Sequence, residues 1–414
     1  MEVDMKVLHI SAQKPDSTGS GIYMSGIING FRKKNIDQAL IVGIDIADSE
    51  QAILEKFDGE VSLYPLKYNS EVLDFNVPGM SDNMPYPSTR YRDITSYQAA
   101  KMREEFSKLL MDAVDKENPD VIICHHLYYI SAITRELLPN KKIYAICHGT
   151  CIRQLMSNDF MRDYVIEKIG QLDGVFALHN EQKRTIEKLF VIDESKVKII
   201  GSGYDSSIFN NKMIKKSGNI KISYAGKISC SKGLIPFINA LNKIDISEDY
   251  IDIVFAGGAS DCDELEEIVN LAKKSCHKID FVGKIDQQEL ADLFNSSDIF
   301  VLPSYYEGLP LVILEALACG CYVICTNTDG LEEWLSDDIK RSGMFDLVEL
   351  PEMLDIQTPV LEQVEGFENR LKFALEKAVD YRKSSRDKFL DISNLSWDGL
   401  SERLLVLITE DQLL

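Results

Sequence analysis

The stretch Ser304-Tyr-Tyr-Glu307-Gly-Leu-Pro310-Leu-Val-Ile-Leu-Glu315-Ala-Leu-Ala-Cys-Gly320 governs the reading of this chain. Glu307 closes an apolar run of strand character, and Glu315 falls inside the apolar helical run that follows. An ionised carboxylate among Leu311, Val312, Ile313, Leu314, Ala316, Leu317 and Ala318 is costly unless something offsets it, and the run itself offers no partner. A ligand rich in hydroxyl donors would supply one. At the helical rise the two carboxylates are predicted to stand roughly 12 Å apart, enough to bracket a sugar joined to a nucleotide. Gly308-Leu309-Pro310-Leu311 reads as the helix start, whose open N–H groups suit a diphosphate, and Gly320 reads as its stop.

Outward from this stretch, short β-branched runs alternate with longer amphipathic ones, the pattern of a parallel α/β protein. Predicted strands are 7–10, 39–42, 121–124, 143–147 and 175–178 in the first half. In the second they are 221–225, 252–256, 280–282, 299–303 and 322–325. Each half therefore reads as one doubly wound unit. The rhythm breaks between Gly201 and Asn219, and an amphipathic end follows Ser396-Trp397-Asp398. The predicted division is 1–205, 206–392 and a closing helical segment, 393–414.

The 414 residues carry 66 acidic and 45 basic side chains, a net charge of −21, which excludes a nucleic-acid backbone as the natural partner. No apolar run reaches the length of a membrane span, and the N-terminus lacks the basic start and apolar core of a secretory signal. Nine cysteines, an odd number without a CxxC pair, read as reduced core residues, so a cytoplasmic protein is expected.

Three ordered motifs of the second half resemble those of the family 4 retaining glycosyltransferases. Glu307 and Glu315 match the E-x7-E signature of that family. Gly226-Lys227-Ile-Ser-Cys-Ser-Lys232-Gly233 matches its Gly-Arg-x4-Lys-Gly segment, and Gly201-Ser-Gly203-Tyr204-Asp205 its Asn-Gly-Val-Asp linker. In the first half, Ser17-Thr-Gly19-Ser-Gly21 and Tyr144-Ala-Ile-Cys-His148-Gly149-Thr150 fall where the family keeps a glycine-rich loop and a histidine. The resemblance implies the GT-B fold, two Rossmann-like domains facing across a cleft with the closing helix packed back on the first. It also implies a retaining, metal-independent hexosyl transfer from a nucleotide diphosphate sugar, UDP-linked by first choice, to an acceptor hydroxyl. Lys227, Lys232, Glu307 and His148 would serve the chemistry. Gly19, Gly21, Gly308, Leu309, Pro310, Leu311 and Glu315 would bind the donor. Lys227 stands where the family usually has arginine, which removes a bidentate fork from the diphosphate.

Pro78-Gly-Met-Ser-Asp-Asn-Met-Pro85-Tyr-Pro87-Ser-Thr-Arg90-Tyr-Arg92 is longer than a connection needs and reads as a lid or acceptor loop. Arg90, Arg92 and Arg153 would grip a phosphate or carboxylate of a small soluble acceptor, with surface salt bridges as the plain alternative. Cys147-His148-x-x-Cys151 and Cys124-His125-His126 lack the spacing of a closed metal site, so neither metal nor cofactor is expected. A nicotinamide enzyme would need G-x-G-x-x-G, and Met24 occupies the third glycine position. A nucleotide-sugar sensor or partner subunit that kept this fold without catalysis is the competing reading.

Overall fold

A computed structural model describes residues 5–15, 17–82, 84–213, 218–307, 310–328, 330–355 and 358–410. The chain divides into two units, one of residues 1–203 with 397–414 and one of residues 204–396. The expected division lay at 205/206 and 392/393.

In the first unit the strands are β1 (Lys6–Ser11), β2 (Asp37–Asp45), β3 (Val61–Tyr68), β4 (Pro78–Gly79), β5 (Thr89–Arg90), β6 (Val121–His125), β7 (Lys142–Ile146), β8 (Gly174–Ala177) and β9 (Val197–Ile199). Seven of them form one sheet in the order β3-β2-β1-β6-β7-β8-β9, while β4 and β5 pair separately. Every pair in the sheet is parallel. Central strands such as Val121–His125 are buried throughout, because helices cover both faces. The helix Gly19–Arg32 follows β1, and the C-terminal helix Trp397–Glu410 packs on it. Trp397 fits against Gly26 and Gly203 and meets Tyr23 edge-on, ring centroids 5.1 Å apart.

The second unit holds β10 (Ile220–Ala225), β11 (Ile251–Ala256), β12 (Ile279–Gly283), β13 (Ile299–Leu302), β14 (Tyr322–Thr326) and β15 (Phe345–Val348), in the order β12-β11-β10-β13-β14-β15. The order reverses at β1/β6 in the first sheet and at β10/β13 in the second. Loops leaving the C-terminal ends of such neighbouring strands diverge to opposite faces and open a crevice, where doubly wound sheets bind ligands.

Three strands lie outside the predicted set in the two main sheets: β3, β9 and β15. All three are edge strands, which need less β-branched character than central ones. Pro65 within β3 also reads as a strand breaker until the strand is known to be an edge, where a missing N–H costs nothing.

Candidate functional site

The β10/β13 crevice of the second unit collects the charged residues of the motifs. After β10, Gly226 and Lys227 lead into a tight turn, Cys230–Lys232, and then the helix Leu234–Leu241. Gly233 joins turn to helix at φ +65°, and a Cβ there would stand 2.0 Å from the carbonyl oxygen of Pro303. Only glycine lets the β10 loop press against the β13 loop this closely. The approach brings Lys232 Nζ to 2.7 Å from Glu307 Oε1. Ser304 donates its hydroxyl to the same oxygen at 2.6 Å. Both side chains of the ion pair keep some solvent contact, 22% for Lys232 and 17% for Glu307, so a polar ligand can reach and replace the bond. Lys227 is exposed and makes no ion pair among the described residues.

Glu307 precedes the helix instead of lying on it. The helix spans Leu311–Ala318 with Pro310 as its N-cap, so the 12 Å helical spacing expected from the sequence does not apply. Gly308 and Leu309 lie outside the described residues. The N–H groups of Leu311 and Val312 are open among the described residues in the way of a helix start, while Ile313 N–H donates to the Pro310 carbonyl at 3.0 Å. Gly320 ends the helix at φ +85°, and its carbonyl is held by the fully buried guanidinium of Arg382, which also binds the carbonyls of Asp298 and Lys388. That anchor fixes the helix carrying Glu315. The Glu315 carboxyl is half-buried and makes no hydrogen bond or ion pair among the described residues. Burial, and secondarily the charge of Asp205, raise its pKa from the ordinary 4.5 to about 7.

Beside Lys227 opens a cavity of about 460 Å³ at the C-terminal ends of β10, β11 and β12. Gly226, Gly257, Gly258, Ser260 and Lys284 are among its walls. Gly257 sits at φ +148° with its Cα pressed on the Gly226 carbonyl: a Cβ would stand 1.6 Å from that oxygen. Gly257, Gly258 and Lys284 were not singled out from the sequence. The signal was present in the Gly-Gly pair that directly follows the apolar run of β11.

The β1/β6 crevice of the first unit is of another character. Ser17-Thr-Gly19-Ser-Gly21, expected as a loop, becomes a helix start: Thr18 caps it, accepting from the Gly21 N–H at 3.1 Å, while Gly19 faces open space. Thr18, Ser20, Gln13 and His126 form one hydrogen-bonded chain, with His126 Nε2 3.1 Å from Gln13 Oε1. His148 lies against three rings, centroids 5.0 Å from Tyr23, 4.9 Å from His126 and 5.7 Å from His125. Its Nε2 is shielded from solvent and lacks a partner among the described residues, as do His125 Nδ1 and His126 Nδ1. Burial, and then the neighbouring His126, drive the His148 pKa well below the ordinary value, so the ring is neutral near pH 7.

The acceptor residues are placed differently from one another. Arg90 Nε meets Asp93 at 2.5 Å and Arg92 Nη2 meets Asp82 at 2.6 Å, both in exposed pairs. Arg153 is exposed on the helix Thr150–Ser157. Their loop is anchored, with Val77, Met80 and Tyr91 buried and Gln154 donating to the Met80 carbonyl at 3.2 Å. Among the described residues, no group of three or more His, Cys, Asp or Glu is arranged to hold a metal ion, and no helix is long and apolar enough to cross a membrane.

Two adjoining family models match the chain: Glycosyltransferase Family 4 over residues 70–208 and Glycosyl transferases group 1 over residues 205–345. The chain belongs to the family 4 glycosyltransferases, and its fold is GT-B. It is 27% identical over 265 residues to an uncharacterized glycosyltransferase of Methanocaldococcus jannaschii, covering 59% of this chain and 66% of that protein. It is 31% identical over 168 residues to the D-inositol 3-phosphate glycosyltransferase of Paenarthrobacter aurescens, covering 37% of this chain and 40% of that one. The matches thus span less than two thirds of either relative. HepE of Anabaena, solved in complex with UDP and glucose, shares the fold at a TM-score of 0.61 and 13% identity, covering 98% of this chain and 100% of that one.

Proposed function

We propose that the protein is a retaining glycosyltransferase that moves a hexosyl unit from a nucleotide diphosphate sugar, UDP-linked by first choice, to an acceptor hydroxyl without a metal. The observation that carries this reading is the Lys232–Glu307 pair at the β10/β13 crevice, followed along the chain by Glu315, whose carboxyl has no partner among the described residues. In the reaction the departing diphosphate gains charge as the glycosidic bond breaks. The ammonium groups of Lys227 and Lys232 and the N–H groups after Pro310 neutralise it. Releasing Lys232 to the diphosphate frees Glu307 Oε1 to accept from hexose hydroxyls, while Ser304 keeps the carboxylate oriented. The ionised form of Glu315 accepts from the two ribose hydroxyls, which supply the donors its helix lacks. Front-face attack then lets the leaving oxygen take the acceptor's proton, so no protein nucleophile is required. In the first unit, the neutral His148 imidazole can exchange a hydrogen bond with a sugar hydroxyl.

The UDP reading draws support from HepE, and a small anionic acceptor from the D-inositol 3-phosphate enzyme. Nine cysteines with no disulfide among the described residues favour a reducing cytoplasmic setting. The test is nucleotide release from UDP-, GDP- and ADP-hexoses with a panel of phosphorylated and carboxylated polyols, run with a chelator present, followed by proton NMR of the product. Release of UDP with an anomeric signal matching the donor's configuration is expected. Inverted product, or release abolished by the chelator, overturns the mechanism. Nucleotide binding with no transfer to any acceptor and no donor hydrolysis would favour a sensor.

A further inference from the structure

Outside the donor chemistry, the first unit holds a feature that the proposed transfer does not use. Cys147 follows β7 directly and Cys151 lies in the first turn of the helix Thr150–Ser157, so the chain doubles back between them. Their sulfur atoms stand 3.5 Å apart and both residues are fully buried. A disulfide needs about 2.05 Å between the sulfurs, a closing motion small enough for side-chain rotation with slight backbone adjustment. The residues between the two thiols include His148, whose ring packs on Tyr23, His125 and His126.

We infer that Cys147 and Cys151 are a redox-active thiol pair, converted by a peroxide to an intrachain disulfide that brackets His148. The surroundings divide the roles. Burial opposes ionising either thiol, but the Cys147 S–H and the adjacent His126 ring outweigh it at Cys151, whose pKa falls well below the ordinary value. Burial and the neighbouring Cys151 hold Cys147 well above it. The low-pKa member of such a pair is the nucleophile and the other resolves it. The Cys151 sulfur attacks one peroxide oxygen: an S–O bond forms, the O–O bond breaks, and hydroxide leaves to become water with the Cys151 proton. The Cys147 sulfur then attacks the resulting sulfenic acid. The S–S bond forms, the S–O bond breaks, and a second water leaves with the proton of Cys147. Two thiols are oxidised and one peroxide is reduced. Closing the bond draws the end of β7 toward the helix start and moves His148 relative to Tyr23.

The test uses the folded, reduced protein and hydrogen peroxide near stoichiometry, followed by denaturation, alkylation of the remaining thiols and tryptic digestion. Cleavage after Lys142 and Arg153 isolates both cysteines in one peptide, residues 143–153. That peptide is expected two hydrogens lighter and unalkylated, formed about tenfold faster than any oxidation of the exposed Cys262 and Cys276, and restored by dithiothreitol. In Cys147→Ser, which keeps a donor to the Cys151 sulfur but cannot resolve it, Cys151 is expected to stop at a sulfenic acid that dimedone traps. The inference is overturned if residues 143–153 keep two alkylatable thiols while Cys262 and Cys276 oxidise, or if the pair oxidises only in denaturant. The readout is a mass and needs no turnover, so a failure of the transferase reading leaves it unaffected.

Discussion

The two sheets reverse strand order in the same way, yet their crevices hold opposite chemistry. At β10/β13 the polar groups are a lysine–carboxylate pair, a second lysine in solvent and a carboxyl poised near pH 7. At β1/β6 they are buried imidazoles, an amide and hydroxyls, with three ring nitrogens left without partners among the described residues. A charged ligand needs charge that stays near water until the ligand arrives, because fully buried ions neutralise themselves by shifting pKa. Neutral imidazoles can be buried and still offer directed hydrogen bonds. The topology supplies the place, and the degree of burial decides what kind of polar group can wait there.

The largest expected effect tests the charged side of this contrast. Lys232→Ala should lower transfer by about 10²–10³-fold, the usual result of removing one group that stabilises developing charge. The pair is only partly buried, so unfolding stability should change by no more than about 1 kcal/mol. A melting temperature that collapses with activity would make the pair structural and erase the distinction between the two crevices.

Glu315 sharpens it through pH. Its pKa of about 7 in the folded protein lies above the ordinary 4.5, so the folded state binds the proton more tightly than the unfolded one. Stability linked to this group is therefore present below about pH 4.5, is lost as pH rises toward 7, and stays lost above. Glu315→Gln should be more stable than the parent at pH 8 by about 1–2 kcal/mol, allowing for partial solvent screening, with the two converging at pH 4. The same variant should bind UDP about tenfold more weakly at pH 8, since only the carboxylate accepts from both ribose hydroxyls. Denaturant melts and calorimetry at the two pH values check both halves of this statement.

Lys227→Arg restores a planar fork at the exposed position and should tighten UDP binding by roughly threefold to tenfold, read by calorimetry. No gain would mean that Lys227 does not face the diphosphate. The smallest effects are expected at Arg90→Ala and Arg92→Ala. Each removes one exposed ion pair, which should shift stability by less than about 0.5 kcal/mol in denaturant melts. A large rise in acceptor KM in either variant would show that the pair opens to grip the acceptor.

The central strands of both sheets were legible because runs such as Val-Ile-Ile-Cys in β6 and Ile-Phe-Val-Leu in β13 have no plausible place except a buried parallel sheet. The edges were not, since Val-Ser-Leu-Tyr-Pro-Leu-Lys-Tyr of β3 mixes polar residues and a proline into the strand. The Lys232–Glu307 pair could be expected from motifs, but its geometry depends on Gly233 yielding to Pro303 across 70 residues of chain. The histidine cluster was hidden altogether: His9 and His125 meet at 3.4 Å although 116 positions separate them. Only the pairing of β1 with β6 brings them together. Glu315 could be singled out as a costly carboxylate, whereas Asp205 as its electrostatic neighbour could not.

The most direct test of the account is thermal unfolding of the parent, Lys232→Ala and Glu315→Ala proteins against UDP, GDP, ADP and their hexose conjugates at pH 8. At a ligand concentration 100 times its dissociation constant, one nucleotide class should stabilise the parent by about 2.7 kcal/mol and both variants far less at the same concentration. No stabilisation by any nucleotide, or equal stabilisation of all three proteins, would contradict the assignment of the β10/β13 crevice to the donor.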